Sequence, residues 1–539
     1  MYMEYTIADL KSSLWGAADE MRQVMSADVY KDYLLGLVFY KALSDKVLVE
    51  AYRLVNDDVA EDAHISLDEA QKCYEQSLQD PELKDDLKNE LQDTFGCFIE
   101  PELTFNYLYN KVNNKILTKS NEIVSFKLDD LRQAFRNIEA ASGGVYSGLF
   151  DDFDTDSKDL GKTPAKRNEM ISSVIAQLAA IDFSRYPEDA LGDAYEYLIA
   201  QFASESGKKA GEFYTPQAVS ELMARFVTHG QNDKYGFSVY DPCCGSGSLL
   251  LQIRNYIVDG DKSNKRATVG FYGQELKNQT YNLARMNMML HRIAGDKQHL
   301  RNGDALDGDW PSEGTCNFDA VVMNPPYSQK YDAKESLLSD ARFSPYQALP
   351  PATKADYAFL LQGLYHLKDS GTMAIVLPHG VLFRGASEAK IRKTLVDKGN
   401  IYAVIGLPAG IFFNTGIPTC IIVLKKEHNS RNVLFIDASQ DFFKDRAKNY
   451  LLKEHVDKIF KTFVERKDVE KYAHLASYEE IVQNDYNLNI PRYVDSVEEE
   501  APVDLDAAFA KLKCAQEKEQ SIDTQLAKFF KELGLQGGK

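Results

Sequence analysis

Phe318-Asp319-Ala320-Val321-Val322-Met323-Asn324-Pro325-Pro326-Tyr327 decides the fold. The first six residues, mostly apolar and partly β-branched, read as a buried strand of a parallel sheet. Two prolines directly behind them end the strand, because proline fixes φ and has no N–H to give. The residue ahead of a proline is itself held extended. Asn324 therefore stands on stiff backbone at the carboxyl end of a strand. Open α/β sheets bind their ligands at that edge.

Such a corner suits methyl transfer to an exocyclic amino nitrogen. The Asn324 side-chain oxygen and the Pro325 carbonyl can each accept a hydrogen bond from an NH₂ group. Both acceptors strengthen as positive charge develops on the nitrogen. Tyr327 supplies a flat face on which a planar base can stack. A Pro-Pro turn capped by an aromatic is the plainer reading of the same four residues, so the rest of the chain has to decide.

Upstream, Gly236-Phe237-Ser238-Val239-Tyr240 reads as a strand. It runs into Asp241-Pro242-Cys243-Cys244-Gly245-Ser246-Gly247-Ser248. Small residues at a first strand-to-helix turn let the backbone approach a ligand closely. Asp241, at the strand end, has a carboxylate for an ammonium group. The spacing is neither the dinucleotide Gly-x-Gly-x-x-Gly nor a P-loop, which disfavours nicotinamide and ATP. A second strand over residues 268–273 leads to Gln274-Glu275, the point at which such folds hold a ribose diol. Asn302-Gly303-Asp304 closes a third short segment, with Asp304 placed to accept from an adenine amino group. Each acid alone also reads as an ordinary loop carboxylate; their order carries the joint reading.

Before that turn lies Gly211-Glu212-Phe213-Tyr214-Thr215-Pro216-Gln217. Thr215 is expected as a helix N-cap and Pro216 as the first helical residue. Free N–H groups there and the faces of Phe213 and Tyr214 suit a small charged or aromatic ligand. Downstream, residues 328–354 are polar and turn-rich. They read either as a mobile lid carrying Lys330 and Lys334 or as an insertion without a role. Further strands at 371–378, 402–406, 419–424 and 433–436, with helices between, argue for a doubly wound, mostly parallel sheet.

The flanks differ in texture. Residues 1–150 are charged and helical, with Leu34, Leu37, Val38 and Ala42 on one face. Residues 142–162 are acidic and turn-rich, and mark a junction. Beyond Pro491 the chain turns acidic and then helical. There Leu505, Ala508, Leu512, Ala515, Glu519, Ile522, Leu526, Phe529 and Leu533 form a heptad seam with one polar intruder, Glu519. Such a seam wants a partner helix, from this chain or another. The expected organisation is a helical region at 1–150, a catalytic domain at 165–495 and a docking helix at 500–535.

Composition narrows the classes. The 539 residues are 44% hydrophobic and 27% charged. No apolar stretch approaches the roughly 20 residues a membrane helix needs. The first residues have no signal-peptide pattern. Seven cysteines are scattered, and the adjacent Cys243 and Cys244 do not make a metal-ligand spacing, so a reducing cytoplasm and no metal are expected. The net charge of −19 argues against an unaided grip on duplex DNA, whose phosphates dominate affinity. A local basic channel or a partner has to supply that grip.

Together, residues 211–216, 241–247, Glu275, Asp304 and 324–327 resemble the amino-methyltransferases of DNA. Their order is similar to that of the adenine-N6 group. The segments at 30–41, 189–198 and 406–412 look like the modification (M) subunit of type I restriction–modification systems. That resemblance spans nearly the whole chain and implies a methyltransferase fold with S-adenosyl-L-methionine as methyl donor. It implies a cofactor pocket lined by Glu212, Phe213, Tyr214, Thr215, Pro216, Gln217, Asp241, Gly245, Ser246, Gly247, Ser248, Glu275 and Asp304. By the same resemblance, Asn324, Pro325, Pro326 and Tyr327 would hold an adenine flipped out of double-stranded DNA. It also implies a specificity (S) subunit, usually two M to one S, and a restriction (R) subunit for cleavage. The family often has Gly where this chain has Ser248, a small residue that changes little. Direct attack of N6 needs no covalent intermediate, so the cysteines are assigned no chemistry.

Two other readings fit parts of the pattern. Methylation of ribosomal RNA or of a protein glutamine also uses Asn-Pro-Pro-Tyr, in enzymes that are usually shorter and lack the helical flanks. An inactive docking subunit could bind the cofactor as a signal. The DNA target sequence is not legible in this chain.

Overall fold

Phe318–Met323 is a strand with every residue buried. It belongs to a computed structural model describing residues 6–534, apart from 57, 61–62, 119, 187–189, 206–213, 258–268, 294, 312–316, 413–415, 429, 446–447 and 496–504. In chain order the strands are β1 (Ser238–Asp241), β2 (Gly270–Glu275), β3 (Gln298–Asn302), β4 (Phe318–Met323), β5 (Leu367–Pro378), β6 (Ile401–Gly406), β7 (Thr419–Lys425), β8 (Val433–Asp437), β9 (Phe443–Asp445), β10 (Lys448–Tyr450) and β11 (Ala473–Ala476).

The main sheet runs β3-β2-β1-β4-β5-β7-β6-β8-β11, and β9–β10 form a separate hairpin. From β3 to β5 all neighbours are parallel. β7 lies antiparallel between β5 and β6, β8 is parallel to β6, and β11 closes the edge antiparallel to β8. The sheet is thus mostly parallel, as expected. Strand direction in β7 was not legible, because a strand buried on both faces is a continuous apolar run whichever way it points.

The order creates a switch point. β1, β2 and β3 step outward in one direction, and β4 then returns to the other side of β1. A crevice opens where the order reverses, outside the carboxyl ends of β1 and β4. Side-chain alternation along β4 feeds two cores. Ala320 and Val322 pack with Val219, Leu222 and Met223 of the Gln217–Thr228 helix. Val321 and Met323 pack with Tyr357, Leu360 and Leu364 of the Asp356–His366 helix.

A third core gathers the helices. The Ala27–Val55 helix is buried on most of its circumference, as an internal helix must be when apolar residues lie all round it. The Pro164–Ala179 and Ala190–Glu205 helices share that core, through Val174, Leu178, Leu198 and Phe202. So do Leu283, Met286 and Leu290 of the Asn278–Leu290 helix that follows β2. Helical layer and sheet are therefore joined through this helix, and residues up to Val494 form one compact unit.

Residues 328–354 are about half exposed but are anchored at several points. The Tyr331 N–H donates to the Ala352 carbonyl at 3.0 Å and the Ala355 N–H to Gln329 at 2.9 Å. Phe343 is buried. Arg342 is buried beside it and donates to the Leu306 carbonyl and to Gln362 Oε1, both at 2.9 Å, and to Asp340. Internal acceptors thus use this arginine. Lys334 pairs with Asp332 at 2.8 Å on the surface.

The second unit contains the Leu505–Glu532 helix. Phe509, Leu512, Ile522, Leu526 and Phe529 on it are exposed. Among the described residues, no helix is long and apolar enough to cross a membrane.

Candidate active site

Three chain segments converge on the crevice because adjacent strands end there. Asp241 is the last residue of β1, Glu275 the last of β2, and Asn324 follows the last residue of β4. Asp304 follows β3 by two residues. The sheet order β4-β1-β2-β3 therefore sets Asn324, Asp241, Glu275 and Asp304 along one edge.

Asp241 is wholly buried. Its Oδ1 accepts from the Cys243 N–H at 2.9 Å, while Oδ2 has no hydrogen-bond partner in the protein. Burial, with the nearby Glu275 charge, pushes its carboxyl well above the ordinary carboxylate range. A buried acceptor in this condition calls for a cationic or donating ligand.

The turn after Asp241 bends through glycines with left-handed backbone, Gly245 at φ 54° and Gly247 at φ 80°. A Cβ on Gly247 would come within 3.2 Å of the Met288 methyl. The Cys244 N–H donates to the Gln274 carbonyl at 2.9 Å, and Asn287 Nδ2 to the Ser246 carbonyl at 3.0 Å. The Ser246 and Ser248 hydroxyls lie 3.0 Å apart. Burial pushes the Cys243 and Cys244 thiols up, so both stay protonated at neutral pH and neither is a ready nucleophile.

Glu275 is buried and serves the same turn, accepting from the Gly245 N–H at 3.2 Å and the Lys277 N–H at 2.9 Å. Asp304 Oδ1 accepts from the Leu306 N–H at 2.9 Å. Three carboxylates on one rim suit a ligand that carries an ammonium, a sulfonium, a ribose diol and an adenine amine. The residues present therefore fit S-adenosyl-L-methionine. Asp241 would meet positive charge, Glu275 the ribose and Asp304 the adenine.

Asn324 is half-buried. Its Oδ1 accepts from the Tyr327 hydroxyl at 2.8 Å, and its Nδ2 donates to Thr215 Oγ1 at 3.1 Å. The Tyr327 ring meets Phe412 edge-on at 6.4 Å. Ser328, with φ 55°, donates its N–H to Asp356 Oδ1 at 2.9 Å. Arg384 holds the other oxygen of Asp356 at 2.7 Å and reaches Glu388 at 3.0 Å.

The expected cap at Thr215 is corrected. Pro216 occupies the N-cap position of a helix that begins at Gln217, and no side chain caps it. The Thr215 hydroxyl instead meets Asn324, because β4 ends beside this helix start. Tyr214 packs against the helical core. Glu212 and Phe213 lie outside the described residues.

Sequence reasoning did not pick out Asp356, Asn287, Gln274 or Glu196. Asp356 and Asn287 meet their partners 28 and 41 residues away, a pairing with no local signal. Glu196 lies against Ser248 and Asn287, and burial pushes its carboxyl up to about 7. Its neighbours Asp193 and Glu205 on the same helix gave it no distinguishing sign in the sequence.

The sheet, its switch point and the Asn-Pro-Pro-Tyr corner define an amino-methylating enzyme. Residues 186–501 match the N-6 DNA Methylase family, and residues 10–178 match the HsdM N-terminal domain. The chain belongs to the N-6 DNA methylases, whose methyl donor is S-adenosyl-L-methionine, and within them to the methylase subunits of type I restriction enzymes. It is 33% identical to the type I restriction enzyme MpnII methylase subunit of Mycoplasma pneumoniae, over 97% of this chain and 96% of that one. It is 32% identical to the MjaVIII methylase subunit of Methanocaldococcus jannaschii, over 93% and 81% of the two chains. The crystal structure of a type I restriction-modification methyltransferase subunit from Streptococcus thermophilus superposes with a TM-score of 0.85 at 50% identity. It covers 91% of this chain and 100% of that one.

Proposed function

We propose that this chain methylates adenine N6 in double-stranded DNA, in the cytoplasm, as the modification subunit of a complex with a specificity subunit that reads the sequence. A restriction subunit joins that complex for cleavage, and two modification subunits serve one specificity subunit. Residues 165–495 carry the chemistry. Residues 1–150 and the Leu505–Glu532 helix serve packing and assembly. The observation that carries the reading is Asn324, Asp241 and Glu275 at the carboxyl ends of three adjacent strands.

Bound S-adenosyl-L-methionine supplies an electrophilic methyl group. Asp241, Gly245, Ser246, Gly247, Ser248, Glu275 and Asp304 would hold it, with Tyr214, Pro216 and Gln217 beside them, while the Thr215 hydroxyl is engaged by Asn324. The target adenine leaves the duplex at a cost of a few kcal/mol. Asn324 Oδ1 and the Pro325 carbonyl would accept from its N6 amine and so orient the nitrogen lone pair for attack on the donor's methyl group. Pro325 and Pro326 keep these acceptors in place, so little reorganisation accompanies the charge that develops on nitrogen. Tyr327 stacks on the base once its hydroxyl leaves Asn324.

The test uses the assembled complex, DNA carrying its target and labelled cofactor, with nucleosides resolved by mass. Label is expected in N6-methyladenine and absent with Asn324→Ala. Label in cytosine or protein, or full activity of the Asn324→Ala complex, overturns the reading.

A further inference from the structure

We infer that Thr215 is a positioning residue for the transfer, fixing which end of the Asn324 amide faces the substrate amine. This rests on the reading of Asn324 as the residue that grips N6.

An asparagine amide has two ends of nearly equal shape and opposite hydrogen-bonding sense. Turned the right way, Asn324 offers an acceptor to an incoming NH₂. Turned over, it offers a second NH₂, and two donors face each other. Stiff backbone does not settle this, because the prolines restrain φ and ψ but leave the terminal amide rotation free.

The partners of the amide settle it. Nδ2 donates to Thr215 Oγ1 at 3.1 Å, and Oδ1 accepts from the Tyr327 hydroxyl at 2.8 Å. One lone pair of Oδ1 stays free for the substrate. When Tyr327 turns to stack on a base, its bond to Oδ1 is lost, and Thr215 becomes the remaining restraint. Thr215 suits that task. It is 6% exposed, and like Asn324 it directly precedes a proline, so both partners sit on restrained, extended backbone. Its carbonyl accepts from Ser220 Oγ at 3.4 Å, which ties it to the helix behind. The contact joins residues 109 apart in the chain, so the helix start before β1 and the corner after β4 are set in one register.

The experiment compares Thr215→Val, Thr215→Ala and Thr215→Ser in the assembled complex, with Asn324→Ala in parallel. Cofactor affinity is measured by calorimetry and turnover by N6-methyladenine formation. Removing the hydroxyl in Val and Ala is expected to lower kcat roughly tenfold to a hundredfold, as expected of a displaced catalytic group. Cofactor Kd is expected to stay within about threefold, and Ser to restore kcat to within about threefold of wild type. Wild-type kcat in Val and Ala overturns the proposal. So does a rise in Kd that accounts for the whole loss, or a Ser variant as slow as Val. Melting curves identify a variant that fails to fold, and Ala, which adds no methyl group, then decides the outcome. If Asn324→Ala itself methylates normally, the reading of the corner fails; if it is dead while Thr215→Val is fast, only the positioning role fails.

Discussion

Asp356 Oδ1 accepts the main-chain N–H of Ser328 at 2.9 Å, directly behind the Asn-Pro-Pro-Tyr corner. Ser328 is held at φ 55°, a left-handed conformation that costs a non-glycine residue roughly 1–2 kcal/mol. Asp356 is fully buried and also holds Arg384 at 2.7 Å. One carboxylate therefore braces both the turn after the corner and the loop after β5.

Asp356→Ala leaves Arg384 with Glu388 as its remaining carboxylate and frees the Ser328 turn. It is expected to cost about 1–3 kcal/mol, from the lost Ser328 hydrogen bond and one lost Arg384 contact. Urea unfolding measures this. Ser328→Gly, which relaxes the left-handed residue, is expected to stay within about 1 kcal/mol of wild type. Equal losses in both variants would show that the strained turn, and not the ion network, carries the stability.

Glu196 gives the cofactor turn a pH dependence. Burial raises its carboxyl to about 7 from an ordinary 4.5, against hydrogen bonds from Ser248 and Asn287 that act to lower it. A raised folded-state pKa means its contribution is complete below 4.5 and is lost as pH rises through about 7. Glu196→Gln is expected to remove that slope and to raise stability at pH 8 by about 1–3 kcal/mol. Thermal melts of the isolated chain from pH 5 to 8 measure it, and parallel slopes in the two proteins count against the effect.

Asp319 titrates in the opposite sense. Burial alone would raise its carboxyl, but hydrogen bonds from Lys234, Lys368 and Ser238 outweigh it and hold the carboxyl below the ordinary 3.8. Lys368 lies 2.9 Å from Oδ2, and Ser238 donates its N–H at 3.0 Å. A lowered pKa gives stability that is present above 3.8 and lost as pH falls through the folded value. Asp319→Asn is expected to cost about 2–3 kcal/mol at pH 7. The difference from wild type should shrink below pH 4 in acid unfolding curves.

Truncation before Leu505 removes a helix with exposed Phe509, Leu512, Ile522, Leu526 and Phe529. Cofactor affinity and the melting point of the remaining chain are expected to hold. Co-purification with the specificity subunit is expected to fall at least tenfold, since a bare apolar seam is stabilised only by a partner helix. Unchanged co-purification assigns the docking surface elsewhere.

Local chemistry made much of the site legible. Pro325 and Pro326 stop β4 wherever it lies, and Gly245 and Gly247 mark a turn that only small residues can make. The acids at strand ends followed from the same alternation of strand and helix. What failed were inferences from one residue's neighbours alone. Thr215 before Pro216 looked like a helix cap, and its hydroxyl was taken by Asn324. Within 328–354, read as polar and turn-rich, nothing marked Arg342 and Phe343, which are buried among internal partners. In each case a long-range contact competed with a local preference and won, and no window of sequence contains the competitor.

By itself the sequence determined the order of strands and turns, the mostly parallel sheet and the residue types at its carboxyl edge, because backbone stiffness and side-chain periodicity are local properties. The tertiary structure alone decided that β4 returns beside β1. It also decided that Asp241 is buried with an unfilled acceptor and that Thr215, Tyr327 and Asp356 brace Asn324 and the turn behind it. The Thr215–Asn324 and Asp356–Ser328 contacts span 109 and 28 residues. They exist because the chain buries its apolar faces first, and the polar groups carried along must then find partners wherever packing leaves them.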